Sequence, residues 1–160
     1  MTAKDVYVTG LRNQHAVEGQ AVSTVEAQLG RLDQYPELRS KMQGEIEQSK
    51  TQATRLETLM SKYGTSASSL KEAVTTVVGK VSGVVHAGSS DDVVKDTLAA
   101  IGFKAYEIAS YKALIAMAEA AGASDDVGVL KQSMEEEQKM GDWLGEHLPS
   151  IVNTYVSQAA

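Results

Sequence analysis

The chain has 160 residues, 42% of them apolar, with one tryptophan, six tyrosines and one phenylalanine, so Ala, Leu, Val, Ile and Met must pack the core of one domain spanning 1–160. A net charge of −6 excludes the basic face that nucleic acid or anionic lipid requires, and the lack of cysteine excludes disulfides, thiolate metal sites and cysteine nucleophiles. The N-terminus MTAKDVYVTGLRNQH has no secretory-signal pattern, and no window approaches the roughly 18 apolar residues of a membrane span, so a cytoplasmic protein is expected.

Four segments repeat at spacings of three and four, the signature of one helix face. The first carries Val8, Leu11, His15, Glu18, Val22, Val25, Leu29 and Leu32, and ends at Tyr35-Pro36. The second, from about Glu37 to Tyr63, aligns Leu38, Met42, Glu45, Ser49, Gln52, Leu56, Leu59 and Met60, with Gly64 placed to stop it. Residues 70–87 are rich in valine and glycine; they predict a connection with a short helix, strand being the alternative. Ser89-Ser90-Asp91-Asp92 is a capping cluster for a third helix through Thr97, Ile101, Lys104, Ile108, Tyr111, Leu114, Ile115 and Ala118. Gly122 stops it, and Ser124-Asp125-Asp126 is placed to cap a fourth helix carrying Val127, Leu130, Met134, Glu137, Gly141, Leu144 and Leu148. Pro149 should end that helix and leave a short C-terminal one with Ile151, Val152, Tyr155 and Val156. Short first and third joins with a long second join predict an all-α, ferritin-like up-down four-helix bundle with one long crossover.

Each helix turns one glutamate inward. Glu18 lies between His15 and Val22, Glu45 between Met42 and Ser49, and Glu137 between Met134 and Gly141, while Glu107 sits at the edge of the third stripe. A single acid on such a stripe usually lies near a helix end or tilts to water, because an unpaired buried carboxylate is costly. Four at corresponding depth are different: Glu18 and Glu45 lie at similar distances from the turn near Pro36, and Glu107 and Glu137 are nearly symmetric about Gly122. Gathered in mid-bundle, they demand positive charge.

The stretch AYEIASYKALIAMAEAAG (105–122), followed by LKQSMEEEQKMGDWL (130–144), resembles the bacterial stress-associated ferritin-like family of the YciE and YciF type; NQHAVEGQ and RLETL in the first half agree. The resemblance implies a dimeric bundle with a two-metal centre of iron or manganese, ligated by Glu18, Glu45, Glu107 and Glu137, and a role in stress response. The family's Glu-x-x-His pattern is incomplete, since Gln48 and Met140 stand three residues after Glu45 and Glu137. Where relatives tend to have Glu-His-Tyr-Glu, this chain has Lys104-Ala105-Tyr106-Glu107. Lys104 cannot ligate while protonated, but its ammonium can sit among the carboxylates in place of a metal's charge. His15 is the one histidine near an inner glutamate, with a local surface role as its alternative; Tyr111 is either a hydrogen-bond donor to an inner carboxylate or an ordinary core residue.

No other chemistry is signalled. Gly79-Lys80 lacks a phosphate-loop context, no serine is placed with a base, and His86 and His147 read as isolated surface residues. Met42, Met60, Met117, Met134 and Met140 read as core filler. Two expectations therefore stand: a metal-free or weakly metallated structural member of the fold, leaning away from enzymatic activity, and a di-iron or di-manganese carboxylate protein of oxidative-stress chemistry. Its one expected partner is a second copy, in a homodimer.

Overall fold

The computed structural model describes residues 1–66 and 92–158. Helix α1 (Ala3–Gln28) starts from a reciprocal cap: the Asp5 N–H donates to Thr2 Oγ1 at 3.2 Å, and the Thr2 N–H donates to Asp5 Oδ2 at 2.7 Å. It tightens into a single turn at Leu29–Arg31, after which Pro36 opens α2 (Pro36–Ser61), where its missing N–H costs nothing and its fixed φ suits the first helical position. Gly64 and Gly122 take φ of 66° and 72°, the left-handed conformation that ends α2 and α3 (Asp92–Ala120) as expected. The connection at 70–87 with its short helix, the Ser89–Asp91 part of the capping cluster, Gly79-Lys80 and His86 lie outside the described residues.

Three local expectations are corrected. Ser124–Asp126 forms a 3₁₀ turn without a side-chain cap; the buried Asp126 instead accepts bonds from Tyr7 Oη (3.0 Å), Tyr63 Oη (2.8 Å) and Lys62 Nζ (2.6 Å), tying the N-terminus of α1 and the end of α2 to the start of α4. Helix α4 (Val127–Gln158) continues through Pro149, so the separate C-terminal helix is its last part. Proline strands the carbonyl four residues back, which here belongs to Gly145; both residues are exposed, so that oxygen is open to solvent, and buried Ile151 anchors the final turns. The buried face of α1 is also rotated from the expected stripe: Tyr7, Gln14, Val17 and Ala21 face inward, while Val8, His15 and Val22 lie half-buried at its edge.

Two apolar clusters define the bundle's ends. One joins Tyr7 and Leu11 of α1, Leu56 and Met60 of α2, Leu114 and Ala118 of α3 and Leu130 of α4. The other joins Val25, Leu38, Met42, Val93, Met140, Leu144 and Ile151. The second halves of α2 and α3 thus share one end, so these helices run in the same direction and their connection must travel the bundle's length. This is the ferritin-like arrangement of two antiparallel hairpins with one crossover. Of the methionines read as core filler, Met42, Met60 and Met140 are buried, and Met117 and Met134 pack against the first cluster.

Helices α1 and α3 approach closely at Gly10. A Cβ there would lie 2.9 Å from Leu114 Cδ1 and 2.9 Å from Met117 Sδ, both at the ends of flexible side chains. Alanine can be absorbed by rotation of those ends, but a branched residue cannot. Gly10→Val should therefore cost about 1–3 kcal/mol in urea unfolding, with Gly10→Ala distinctly milder; equal and negligible costs for both would show that the helices separate freely here.

Candidate functional site

Between the apolar clusters lies a polar layer. Helix α1 contributes Glu18 and Gln14, α2 Glu45, Ser49 and Gln52, α3 Lys104 and Glu107, and α4 Ser133 and Glu137, all buried. These residues recur at three- and four-residue spacing within otherwise apolar stripes, so forming each helix carries them inside whatever their polarity. The four glutamates expected to converge do so: carboxylate oxygens of Glu18, Glu107 and Glu137 lie within 4.8 Å of one another. Glu45 joins them through Lys104. The Lys104 ammonium contacts Glu45 Oε1, Glu107 Oε2 at 2.6 Å and Glu137 Oε2 at 2.5 Å. Glu107, placed by its spacing at the edge of its stripe, is fully inaccessible.

Burial is the largest influence on the carboxyls. It pushes Glu18 up to about 7, aided by the nearby Glu137 and opposed by hydrogen bonds from Tyr111 (2.7 Å) and Gln14 (3.1 Å) to its Oε1. Burial also raises Glu45, and raises Glu107 well above the usual range, although Lys104 opposes both. Lys104 responds the other way: burial works against its charge, but Glu107, Glu45 and Glu137 outweigh it and hold its pKa above the ordinary lysine value. The lysine is therefore a permanent internal cation. Tyr111, raised by burial and by Glu18, remains a neutral donor.

The centre suits a resident metal only in part. Glu18 Oε2, Glu107 Oε1 and Glu137 Oε1 are buried without a hydrogen-bond partner, and three such hard oxygens can hold one hard cation. A two-metal carboxylate–histidine set does not fit. His15 is turned away, its Nε2 2.8 Å from Glu57 Oε1; Gln48 is half-exposed, Met140 belongs to the second apolar cluster, and Lys104 stands among the carboxylates that would serve a second ion.

Neutral and outer partners carried a weaker sequence signal. Ser110 Oγ donates to Gln14 Oε1 at 2.5 Å, which steadies the amide that serves Glu18. Glu136 is half-buried and paired with both terminal nitrogens of Arg55 (2.6 and 3.0 Å). Gln52 Nε2 donates to the same Glu136 at 3.0 Å. The trace of these in the sequence is a neutral polar residue on an apolar stripe, as at Gln14, Ser49 and Gln52. His147 is half-buried, stacked on Trp143 at 4.0 Å, and takes no part in the centre.

Two predictions follow from this electrostatic balance. Lys104→Met strands the carboxylates and should destabilise the protein by about 3–5 kcal/mol, measured by urea unfolding; a neutral effect would mean the ion pairs contribute nothing. The second concerns pH. Glu18, facing Glu107, Lys104 and Tyr111 of α3, Glu137 of α4 and Gln14 of α1, has a folded pKa near 7, above the ordinary 4.5. Its stabilising contribution is full below about 4.5 and is lost as pH rises through about 7, and raised Glu45 and Glu107 act in the same sense. Lys104 would lose its contribution only above 10.5, and the lowered Asp126 and Glu136 lose theirs only on acidification. Tm should therefore fall from about pH 5 to about pH 8, with Glu18→Gln flattening the fall. A rising Tm across that interval would contradict the assignment.

Solved structures share this fold. A protein of Xanthomonas campestris superposes with a TM-score of 0.82 at 23% identity, over 98% of this chain and 97% of the other. The stress protein YciF of E. coli gives 0.73 at 21%, over 96% and 98%, and YcfI of Rhodopseudomonas palustris 0.71 at 22%, over 91% and 94%. A family model described as a domain of unknown function, DUF892, matches residues 2–157, nearly the whole length, and the chain belongs to that family.

Proposed function

We propose that this chain is a stress-associated, ferritin-like protein of the YciF type whose bundle centre is neutralised by its own lysine in place of a two-metal cluster. The carrying observation is Lys104 Nζ in contact with Glu45, Glu107 and Glu137 at once. An ammonium supplies one positive charge, has no redox chemistry and accepts no ligand, so the centre holds the four helices together and performs no turnover. The stress role rests on likeness to a protein whose name carries it, and function then resides in the bundle's outer surface, in a cytoplasmic homodimer or with a protein partner.

A second reading has its own support. The unpaired oxygens of Glu18, Glu107 and Glu137 favour one hard divalent ion, iron or manganese, bound beside Lys104. In that case Glu18, Glu107 and Glu137 hold the ion while Lys104 keeps Glu45 neutralised. Iron or manganese would supply Lewis-acid or one-electron chemistry there.

Elemental analysis of the purified protein, followed by anaerobic titration with Fe(II) and Mn(II), separates the two. The lysine-neutralised centre should take up well under one equivalent at micromolar metal, and the single-ion reading requires one. Two tightly bound equivalents with Lys104 intact would overturn both. Lys104→Glu restores an acid and removes the competing charge, so it should raise metal affinity at least about tenfold, or ~1.4 kcal/mol; unchanged affinity would show that Lys104 does not control the site.

A further inference from the structure

Six buried side-chain oxygens in the polar layer have no hydrogen-bond partner among the described residues: Glu18 Oε2, Glu107 Oε1 and Oε2, Glu137 Oε1, Gln52 Oε1 and Ser49 Oγ. Glu107 Oε2 has the Lys104 charge beside it at 2.6 Å, without hydrogen-bond alignment. While the carboxylates are ionised, five of the six can only accept; a proton on the raised Glu18 or Glu107 can join carboxylate oxygens to each other, but the neutral Ser49 Oγ and Gln52 Oε1 remain without a partner. The nearby protein donors are already committed. Lys104 serves three carboxylates, Tyr111 Oη and Gln14 Nε2 serve Glu18 Oε1, and Gln52 Nε2 serves Glu136 and the Ser133 carbonyl. Buried polar atoms in folded proteins are almost always paired, so a donor from outside the protein is required.

The placement of the two neutral oxygens locates it. Glu45, Ser49 and Gln52 occupy successive turns of one face of α2, at most 3% exposed, and Gln52 reaches across to α4. Its amide nitrogen meets Glu136, whose carboxylate is clamped by Arg55, and Arg55 also donates to Ser133 Oγ at 3.2 Å. This half-buried cluster closes the outer side of the layer, while the carboxylate–lysine centre forms its inner side.

We propose that ordered water is bound between α2 and α4, hydrogen-bonded to Ser49 Oγ and Gln52 Oε1 and donating onward to the unpaired carboxylate oxygens, with the Arg55–Glu136 pair covering its outer end. Water offers two donors and adds no charge. A second cation against the neutral Ser49 and Gln52 oxygens would instead face the Lys104 ammonium. The Ser49–Gln52 end of the site is separate from any ion held by Glu18, Glu107 and Glu137; such an ion would replace only the water's onward bonds to those carboxylates.

The test uses the full chain. A high-resolution crystal structure of the metal-depleted protein at neutral pH should show water within about 3.2 Å of both Ser49 Oγ and Gln52 Oε1. In Ser49→Ala that density should weaken or disappear, and Tm should fall by about 2–4 °C. A dry site predicts the opposite sign, because alanine is the better helix former and removes an unpaired hydroxyl. A Tm that is unchanged or higher in Ser49→Ala, an anomalous scatterer at the Ser49–Gln52 position, or no density there at all would each overturn the proposal.

Discussion

A buried lysine surrounded by carboxylates is the constraint on which the rest of the bundle depends. Four glutamates brought into a low-dielectric interior cannot all remain ionised unopposed, and Lys104 supplies one compensating charge at the point where three of them meet. Each of these groups comes from a different turn of a different helix, apart from Lys104 and Glu107, so satisfying the charge fixes the relative rotation of all four helices. Purely apolar seams of leucine and valine would tolerate sliding; a converging ion cluster tolerates little.

The packing around it follows. Apolar clusters close the bundle above and below the polar layer, excluding water from both ends and strengthening every charge interaction between them. At one end the Asp126 carboxylate draws Tyr7, Tyr63 and Lys62 together, and Gly10 lets α3 press against α1. On the α2–α4 side the gap is bridged by longer polar side chains, Gln52 and Arg55 reaching to Ser133 and Glu136. The centre therefore has a tightly packed side and a polar side, and the unpaired Ser49 and Gln52 oxygens lie toward the polar one.

The balance of charge also bears on chemistry. Two-metal carboxylate centres commonly pair their acids with imidazoles; here an ammonium stands among the carboxylates, and His15 is committed to Glu57 outside the centre. The scaffold is retained while the donor set has changed, and overall likeness at 21–23% identity reports the scaffold alone.

The four long helices among the described residues, their directions and the inward set Glu18, Glu45, Glu107, Glu137 and Lys104 were legible in the sequence, because helical periodicity is a local property and a charged residue on an apolar stripe is visible one helix at a time. The positions of Gly64 and Gly122 were legible for the same reason: a left-handed residue ends a helix without reference to its neighbours. The passage of α4 through Pro149 was not, since it depends on the solvation of Gly145 and the anchoring of Ile151. Nor was the role of Asp126, which looked like a helix cap until Tyr7, Tyr63 and Lys62 were brought to it across the bundle. What the sequence by itself determined was which residues would be carried inside. Only the tertiary structure decided which of them meet, because the pairing of Lys104 with three carboxylates and the isolation of the Ser49 and Gln52 oxygens depend on the rotation and separation of helices, which no single helix encodes.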